Sequence, residues 1–398
     1  MISIITPSNN TQYLPELYEC LKEQSFTDWE WIIVLNGGAE VKFPDPRVKI
    51  FHYDGQGKVG ILKKYACSKA KGSIIAEVDH DDLITSDCLE EINKAFNDDT
   101  VFAYSNCAAV NQDWSPRVFG EYYGWQTEDF LYKGHKLKAT TAPEPYPSNI
   151  SRLWFAPDHI RAWTKKAYEA VGGHSDMKVA DDQELMIKLW LHGKFKHINK
   201  CLYIYRVHGQ NTWLKHNDEV QSQMWANYNN YIFQIAEKWA TDNKLRKIDL
   251  CGGHDKPIGY ESIDLKRGDI QADLNTTWPL QDNSIGLIRA HDAIEHLKDP
   301  IHTMSEAYRV LAHGGFYLID VPSTDGVGAW CDPTHVSFWN KRSFRYYTDK
   351  NIAKYIDFKG KFQILYLENI IKWDNIPYVR AHLMAIKEGP RFHGELLI

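Results

Sequence analysis

The chain has little that would staple it, anchor it or draw it to nucleic acid. Its seven cysteines, at 20, 67, 88, 107, 201, 251 and 331, are scattered, odd in number and include no CxxC pair. That argues against a disulfide framework or a cysteine zinc site and fits a reducing compartment. Net positive charge is missing too: 46 Lys and Arg stand against 52 Asp and Glu, a formal charge of −6 with a pI near 6.3. A nucleic-acid backbone is therefore not the expected main partner. No apolar run approaches membrane-spanning length. The opening MISIITPSNN lacks a basic n-region and reads as a strand followed by a turn. No secretory leader is expected, and a soluble, cytoplasmic protein is.

What is present is ordinary for a globular protein, with 43% hydrophobic and 25% charged residues. A length of 398 residues is long for one core, so two domains are expected. The 14 Trp and 22 Tyr suit flat, partly polar ligands such as sugars and nucleobases, although most belong in the core.

Short β-branched runs at 2–6, 29–35, 47–53, 73–78 and 101–105 alternate with helical patterns at 14–24, 60–71 and 88–97. That alternation predicts an α/β, doubly wound parallel sheet, whose ligands bind beyond the carboxyl ends of the strands. The proline-rich stretch 140–157 reads as a substrate-lining loop or an edge hairpin. Helices are expected over 158–171 and 181–193, and a strand over 201–208. A long helix from 218 to about 243 carries Val220, Met224, Tyr228, Ile232, Ile235 and Trp239 as an apolar stripe. The α/β pattern then restarts, which puts the boundary near 245 and predicts a domain over 1–215, a linker helix over 216–245 and a second domain over 246–398. The pair 362–371 and 379–388 reads as an antiparallel hairpin at a sheet edge.

The stretch AEVDHDDL packs four acidic residues and a histidine at the end of an apolar run. Asp79 and Asp81 are two apart and point to one side of an extended strand end, as hard oxygen ligands for Mg²⁺ or Mn²⁺. The plainer alternative is a helix cap, and Asp82 reads as the residue that caps the following helix. Glu77 and His80 are expected to point toward packing or solvent.

Five stretches in order, IITPSNN, WEWIIVLNGG, the run from Gly60 through Asp82, VADDQELMIKL and YRVHGQNT, together resemble the family 2 inverting glycosyltransferases with the GT-A fold over about 1–215. The resemblance implies a nucleotide-sugar donor, a UDP- or GDP-sugar, and a glycan or other hydroxyl acceptor. It implies a base held near Pro7 and Asn36, with Lys63 toward the nucleotide or its phosphates and Asp79 toward the ribose or metal. Asp81 is then the principal ligand of Mn²⁺ or Mg²⁺, and His208 a further one. Asp182, with Asp181 beside it, matches the acid that deprotonates the acceptor, while the plainer reading makes one of the two a helix cap. Asn36 stands where the family commonly has Asp. Lys58 and Arg206 are candidate phosphate partners.

KIDLCGGHDKPIGYESIDL has a strand, a Gly-Gly turn and a second strand ending in Asp264. A glycine turn lets a backbone approach a cofactor, and a carboxylate ending the next strand can accept ribose hydroxyls. With the downstream ADLNTTWPL, RAHDAIEHL, VLAHGGFYLIDVPS and DPTH stretches, the segment 246–390 resembles class I S-adenosylmethionine-dependent methyltransferases. That implies Gly252 and Gly253 at the methionine end of the cofactor, Asp264 at the ribose, Asp273 by the adenine and His291 beneath the cofactor. Cys251 departs from the family's Gly-x-Gly turn. Methyl transfer to a hydroxyl needs a base or a metal, and His335 and His296 are the candidates, His335 ahead.

The leading expectation is thus a bifunctional enzyme that transfers a sugar and methylates a hydroxyl on a glycan. The alternatives are a glycosyltransferase with a scaffold-only second domain, a non-catalytic carbohydrate- or nucleotide-binding protein and, at the outside, a nucleic-acid-modifying transferase.

Overall fold

A computed structural model describes residues 1–97, 99–118, 125–153, 155–372 and 375–389. The chain divides into two compact units, Met1–Tyr231 and Ile232–Ile398.

The first unit opens with β1 (Ile2–Ser8), α1 (Leu14–Lys22), β2 (Trp29–Leu35), β3 (Val48–His52), α2 (Val59–Lys69) and β4 (Ile74–Glu77). Its two central strands β1 and β2 are buried at every position, as expected of parallel strands covered on both faces. α1 turns Leu14, Leu17, Cys20 and Leu21 inward at helical spacing. Gly60 admits α2 close to the segment before the sixth helix, because a Cβ there would lie 2.0 Å from the Ser175 carbonyl.

β5 (Leu83–Ile84), α3 (Cys88–Ala95), β6 (Thr100–Asn111), β7 (Pro116–Arg117) and the antiparallel pair β8 (Thr127–Tyr132) and β9 (His135–Thr140) follow. Then come α4 (Pro147–Ile150), β10 (Arg161–Thr164), α5 (Lys165–Ala170), α6 (Asp181–His192), β11 (Lys194–Val207) and α7 (Thr212–Lys215). The strand order is β3-β2-β1-β4-β10-β6-β11-β5. The first four strands run parallel, and the order reverses between β1 and β4, so the carboxyl ends of β1, β2 and β4 share one edge.

Two expectations need correction here. The helix expected over 158–171 is the strand β10 followed by the short α5; β10 is held antiparallel between β4 and β6, and that pairing overrides a helix-like composition. Of the two readings of 140–157, a loop forms and the edge hairpin does not: the antiparallel pair β8 and β9 lies just before the stretch, whose remaining described residues are irregular apart from the short α4, and Trp154 is outside the described residues.

α8 (Asn217–Asp242) spans the division between the units, and its stripe from Val220 to Trp239 is buried. The second unit contains β12 (Arg246–Leu250), β13 (Glu261–Asp264), β14 (Ile270–Gln271), β15 (Ile285–His291), α9 (Pro300–Val310), β16 (Leu311–Pro322), α10 (Gly328–Cys331), α11 (Lys341–Thr348), α12 (Lys350–Ala353), β17 (Phe362–Ile371) and β18 (Pro377–Ala385). Its sheet runs β14-β13-β12-β15-β16-β18-β17, parallel except for β18, with β17 at the edge. Here the order reverses at β12, next to β15. Among the described residues no helix is long and apolar enough to cross a membrane.

Candidate functional site

The acidic strand end sits just past β4, at the edge where the first sheet reverses. Its acids divide by burial. Asp82 is 1% exposed, and it accepts from the Tyr203 hydroxyl and the Arg206 amide, both at 2.7 Å. It therefore ties the turn to β11 and does not cap α3, whose N-cap is Asp87. Glu77 points into the packed interior at 1% exposure, where its carboxylate is 2.8 Å from Lys63 Nζ. Asp81 Oδ2 lies 2.7 Å from His208 Nε2, and Asp79 Oδ2 lies 3.8 Å from His159 Nε2. Burial, followed by the charge of Glu77, pushes Asp79 up to about 7; burial and Asp81 push Asp82 well up. A shallow pocket of about 350 Å³, lined in part by Asn111, Asp113, Ser115 and His208, opens beside the Asp81–His208 pair.

The two acids that start α6 are not equivalent. Asp181 is 2% exposed, with Lys63 Nζ at 3.5 Å and His174 Nε2 at 3.6 Å. Burial pushes its carboxyl up to about 7 despite the lysine. The Asp182 side chain is 17% exposed and lies 2.5 Å from Arg161 Nη1, while its Oδ1 accepts from the Gln183 amide at 2.9 Å. Burial works to raise Asp182, but Arg161 and then Lys63 outweigh it, and the carboxyl is held below its ordinary value. The helix N-terminus adds partial positive charge for both acids. Neither caps α6 through its side chain; the N-cap is Ala180, at φ 55°.

In the second unit, β12 delivers Asp249 and then the Cys251-Gly252-Gly253 turn. Asp249 is fully buried; Oδ1 accepts from Arg289 Nη1 at 2.7 Å and Oδ2 has no partner. A Cβ on Gly252 would lie 2.0 Å from that oxygen, so glycine is required there. Gly253, at φ 54°, has only Arg267 Cβ near the Cβ position, at 3.8 Å, so the turn faces open space. Cys251 adopts φ 57° and so keeps the turn conformation that glycine takes most easily. Asp264 Oδ1 accepts from the amides of Lys266 and Arg267 at 2.8 and 2.9 Å, which lowers its pKa. Exposed Asp273 accepts from Asn275 in the same manner. His291, at the end of β15, is pushed down to about 3 by burial, with Asp320 3.9 Å away.

The family model described as "Glycosyl transferase family 2" matches residues 3–153, and that described as "Methyltransferase domain" matches residues 234–319. The chain carries a family 2 glycosyltransferase domain and a methyltransferase domain. Among curated proteins it is similar to the chondroitin synthase of Pasteurella multocida (strain Pm70), 28% identical over 230 residues that make up 55% of this chain and 22% of the synthase. It is also similar to a hyaluronan synthase of Pasteurella multocida, 28% identical over 227 residues, 54% of this chain and 21% of that one. The chain spans about a fifth of the length of either synthase. S. aureus TarS 1-349 in complex with UDP-GlcNAc aligns with a TM-score of 0.43 at 17% identity, over 61% of this chain and 72% of that one.

In the glycosyltransferase domain, Pro7 lies in β1 paired with Val34 of β2, and the half-buried Asn36 follows β2 with its amide on the Ser8 carbonyl at 2.9 Å. Both stand at the same sheet edge as Asp79. Lys63 is 6% exposed, and its ammonium is the counter-ion of Glu77 and Asp181. Arg206 pairs with Glu16 at 2.8 Å, whereas Lys58 is exposed at the start of α2. The carboxylates of Asp79 and Asp81 with the His208 ring are a donor set that suits Mn²⁺ or Mg²⁺, and the raised Asp79 and Asp82 carboxyls mark a place short of positive charge. The ligand atoms of these three residues are not all within 4.8 Å of one another, so holding one ion requires side-chain rotation.

In the methyltransferase domain, the open turn at Gly253 and the partnerless Asp249 Oδ2 fit the approach of a cofactor. His335 sits 5.0 Å, centroid to centroid, from His296. Sequence reasoning passed over Arg161, His174, Asp249 and Glu295. Only Asp249 had a visible signal, an acid buried in a strand that runs into a glycine turn.

Proposed function

We propose that the glycosyltransferase domain moves a sugar from a nucleotide-sugar to an acceptor hydroxyl with inversion, and that the methyltransferase domain O-methylates a glycan with S-adenosylmethionine. One observation carries the first half. Of the two acids starting α6, Asp182 is the one that reaches solvent, and Arg161 keeps it ionised. An ionised carboxylate at that position can take the hydroxyl proton. As it does, the acceptor oxygen bonds to the anomeric carbon, the carbon–phosphate-oxygen bond breaks on the opposite face, and the nucleoside diphosphate leaves. A single displacement of this kind inverts the anomeric centre. Asp79, Asp81 and His208 would hold a divalent cation, which supplies charge neutralisation for the departing diphosphate. Buried Asp181, paired with Lys63, sets the floor of the site and does not meet the acceptor.

For the second half, Gly252 and Gly253 would line the cofactor, and Asp264 would accept its ribose hydroxyls, with Oδ1 fixed by the turn. S-adenosylmethionine supplies an electrophilic methyl group when bound. The second reading, a scaffold-only domain, is favoured by Cys251 in the glycine turn, although Cys251 takes the left-handed φ of 57° that such a turn uses.

The experiment measures release of nucleoside diphosphate from UDP- and GDP-sugars with Mn²⁺, alongside calorimetric binding of S-adenosylmethionine. Asp81→Ala should abolish release and leave methyl-donor binding intact, and Asp264→Ala should do the reverse. No release with any donor overturns the transferase half. No saturable methyl-donor binding leaves the scaffold reading standing.

A further inference from the structure

The methyltransferase domain assembles a second set of metal-type ligands, remote in sequence from the acidic strand end. Glu295 and His296 share the single turn Ile294–His296 just after β15. His335 arrives from the segment after α10, which main-chain hydrogen bonds stitch to that turn. The amides of Val336 and Ser337 donate to the Glu295 carbonyl at 2.9 and 3.0 Å, and Ser337 Oγ donates to the Ile294 carbonyl at 2.9 Å. The indole of Trp339, 1% exposed, in turn donates to Ser337 Oγ at 3.0 Å. One ligand atom from each of Glu295, His296 and His335 thereby comes within 4.8 Å of the others.

Two further observations separate this cluster from chance neighbours. Glu295 is 2% exposed, yet among the described residues neither carboxylate oxygen makes a well-formed hydrogen bond, and only the backbone N–H groups of Ala293 and of Glu295 itself lie near enough to favour its charge. A buried carboxylate left that way is costly unless it takes up a proton or a cation completes it. Both histidines are also oriented through their other ring nitrogen. His335 Nδ1 lies 3.2 Å from the Ala329 carbonyl; His296 Nδ1 lies 3.3 Å from the Thr334 carbonyl and 3.1 Å from Thr334 Oγ1. A carbonyl only accepts, so each Nδ1 carries the hydrogen and each Nε2 presents a lone pair.

We propose that Glu295, His296 and His335 bind a first-row divalent transition-metal ion through a carboxylate oxygen and two Nε2 atoms. Two imidazoles and one carboxylate suit Zn²⁺, Fe²⁺, Co²⁺ or Mn²⁺ better than Mg²⁺ or Ca²⁺. Bonds of about 2.1 Å allow ligand atoms at most about 4.2 Å apart, a spacing that atoms already within 4.8 Å of one another meet or reach by a small side-chain rotation. Three protein ligands leave a position open, as in catalytic rather than structural sites. The location suits that use. Glu295 follows β15, whose carboxyl end neighbours that of β12 and its glycine turn, so the open position can receive an acceptor oxygen on the side where the methyl group is expected. The inference concerns metal binding alone and stands whether or not the sugar-transfer reading does.

The test titrates the metal-free 398-residue chain with Co²⁺ and follows the visible d–d bands, which report nitrogen ligation and coordination number. Because the acidic strand end is another cation site, the titration is run on Asp81→Ala as well as on the unaltered chain. The expected result is a set of bands in both proteins, saturating at one ion per chain in Asp81→Ala. His296→Ala, at a half-exposed turn position, should weaken that binding at least about 100-fold, as should Glu295→Gln, with an unchanged circular dichroism spectrum showing that each variant folds. Absence of bands in Asp81→Ala, or full-strength bands in folded His296→Ala, overturns the proposal.

Discussion

The two domains build their sites from opposite materials. At the acidic strand end of the glycosyltransferase domain, side-chain charge is the material: Glu77, Asp181 and Lys63 form a buried cluster, and Arg161 pins Asp182. At the glycine turn of the methyltransferase domain, backbone shape is the material: Gly252 clears Asp249, and Gly253 and Cys251 take left-handed angles. A charge-built site should be sensitive to single neutralisations, whereas a backbone-built one should respond to added atoms and to lost hydrogen bonds. That contrast can be broken by substitution.

The largest stability effect is expected inside the charged cluster. Lys63→Met leaves Glu77 and Asp181 buried without their cation, which should cost about 3–5 kcal/mol in urea unfolding of the first unit. A loss below 1 kcal/mol would mean that the acids take up protons and manage without the lysine. Next in size is Asp264→Ala, which removes a charged acceptor and two turn hydrogen bonds. Calorimetry should show methyl-donor affinity falling by about 10- to 100-fold, equivalent to the loss of hydrogen bonds to a charged group.

A third effect depends on pH and belongs to the second unit. Burial holds His291 and His382 down to about 3, against Asp320, with Arg380 and Lys372 as the neighbouring cations. An unfolded histidine titrates near 6.5, so below that value the unfolded chain takes up protons that the folded unit refuses. Stability present at pH 7 is therefore lost as the pH falls from 6.5 toward 3. The loss by pH 5 is up to about 2 kcal/mol for each histidine. Urea titrations at pH 7 and pH 5 should show it, and His382→Gln should reduce the difference. The smallest effect is Gly253→Ala: nothing blocks the added carbon, but φ 54° is strained for alanine, at a cost of about 1 kcal/mol.

The same contrast explains what could be read from the sequence. Strand and helix alternation placed Asp79, Asp81 and the Gly252-Gly253 turn at sheet edges, because period and punctuation are local signals. Arg161 escaped because HIRAWTKKAYEAV has the composition of a helix, and only pairing with β4 and β6 makes Arg161–Thr164 a strand. Asp82 was misread for a similar reason: its partners Tyr203 and Arg206 lie on β11, far along the chain. Glu295 carries no signal of its own in RAHDAIEHL, and the segment carrying Val336 and Ser337, which docks on its carbonyl, comes from far along the chain. Local pattern thus located the edges, while the partners that give each acid its role came from distant strands.

On the proposed mechanism Asp182, not Asp181, accepts the acceptor's proton, in a site separable from the methyl-donor site. The direct measurement is nucleoside diphosphate release by Asp182→Asn under saturating Mn²⁺ and donor, paired with methyl-donor calorimetry on the same sample. Proton transfer to Asp182 predicts a fall in kcat of about 10²- to 10⁴-fold with methyl-donor affinity unchanged. Turnover within about threefold of the unaltered chain, well below the smallest loss expected for a general base, would contradict it.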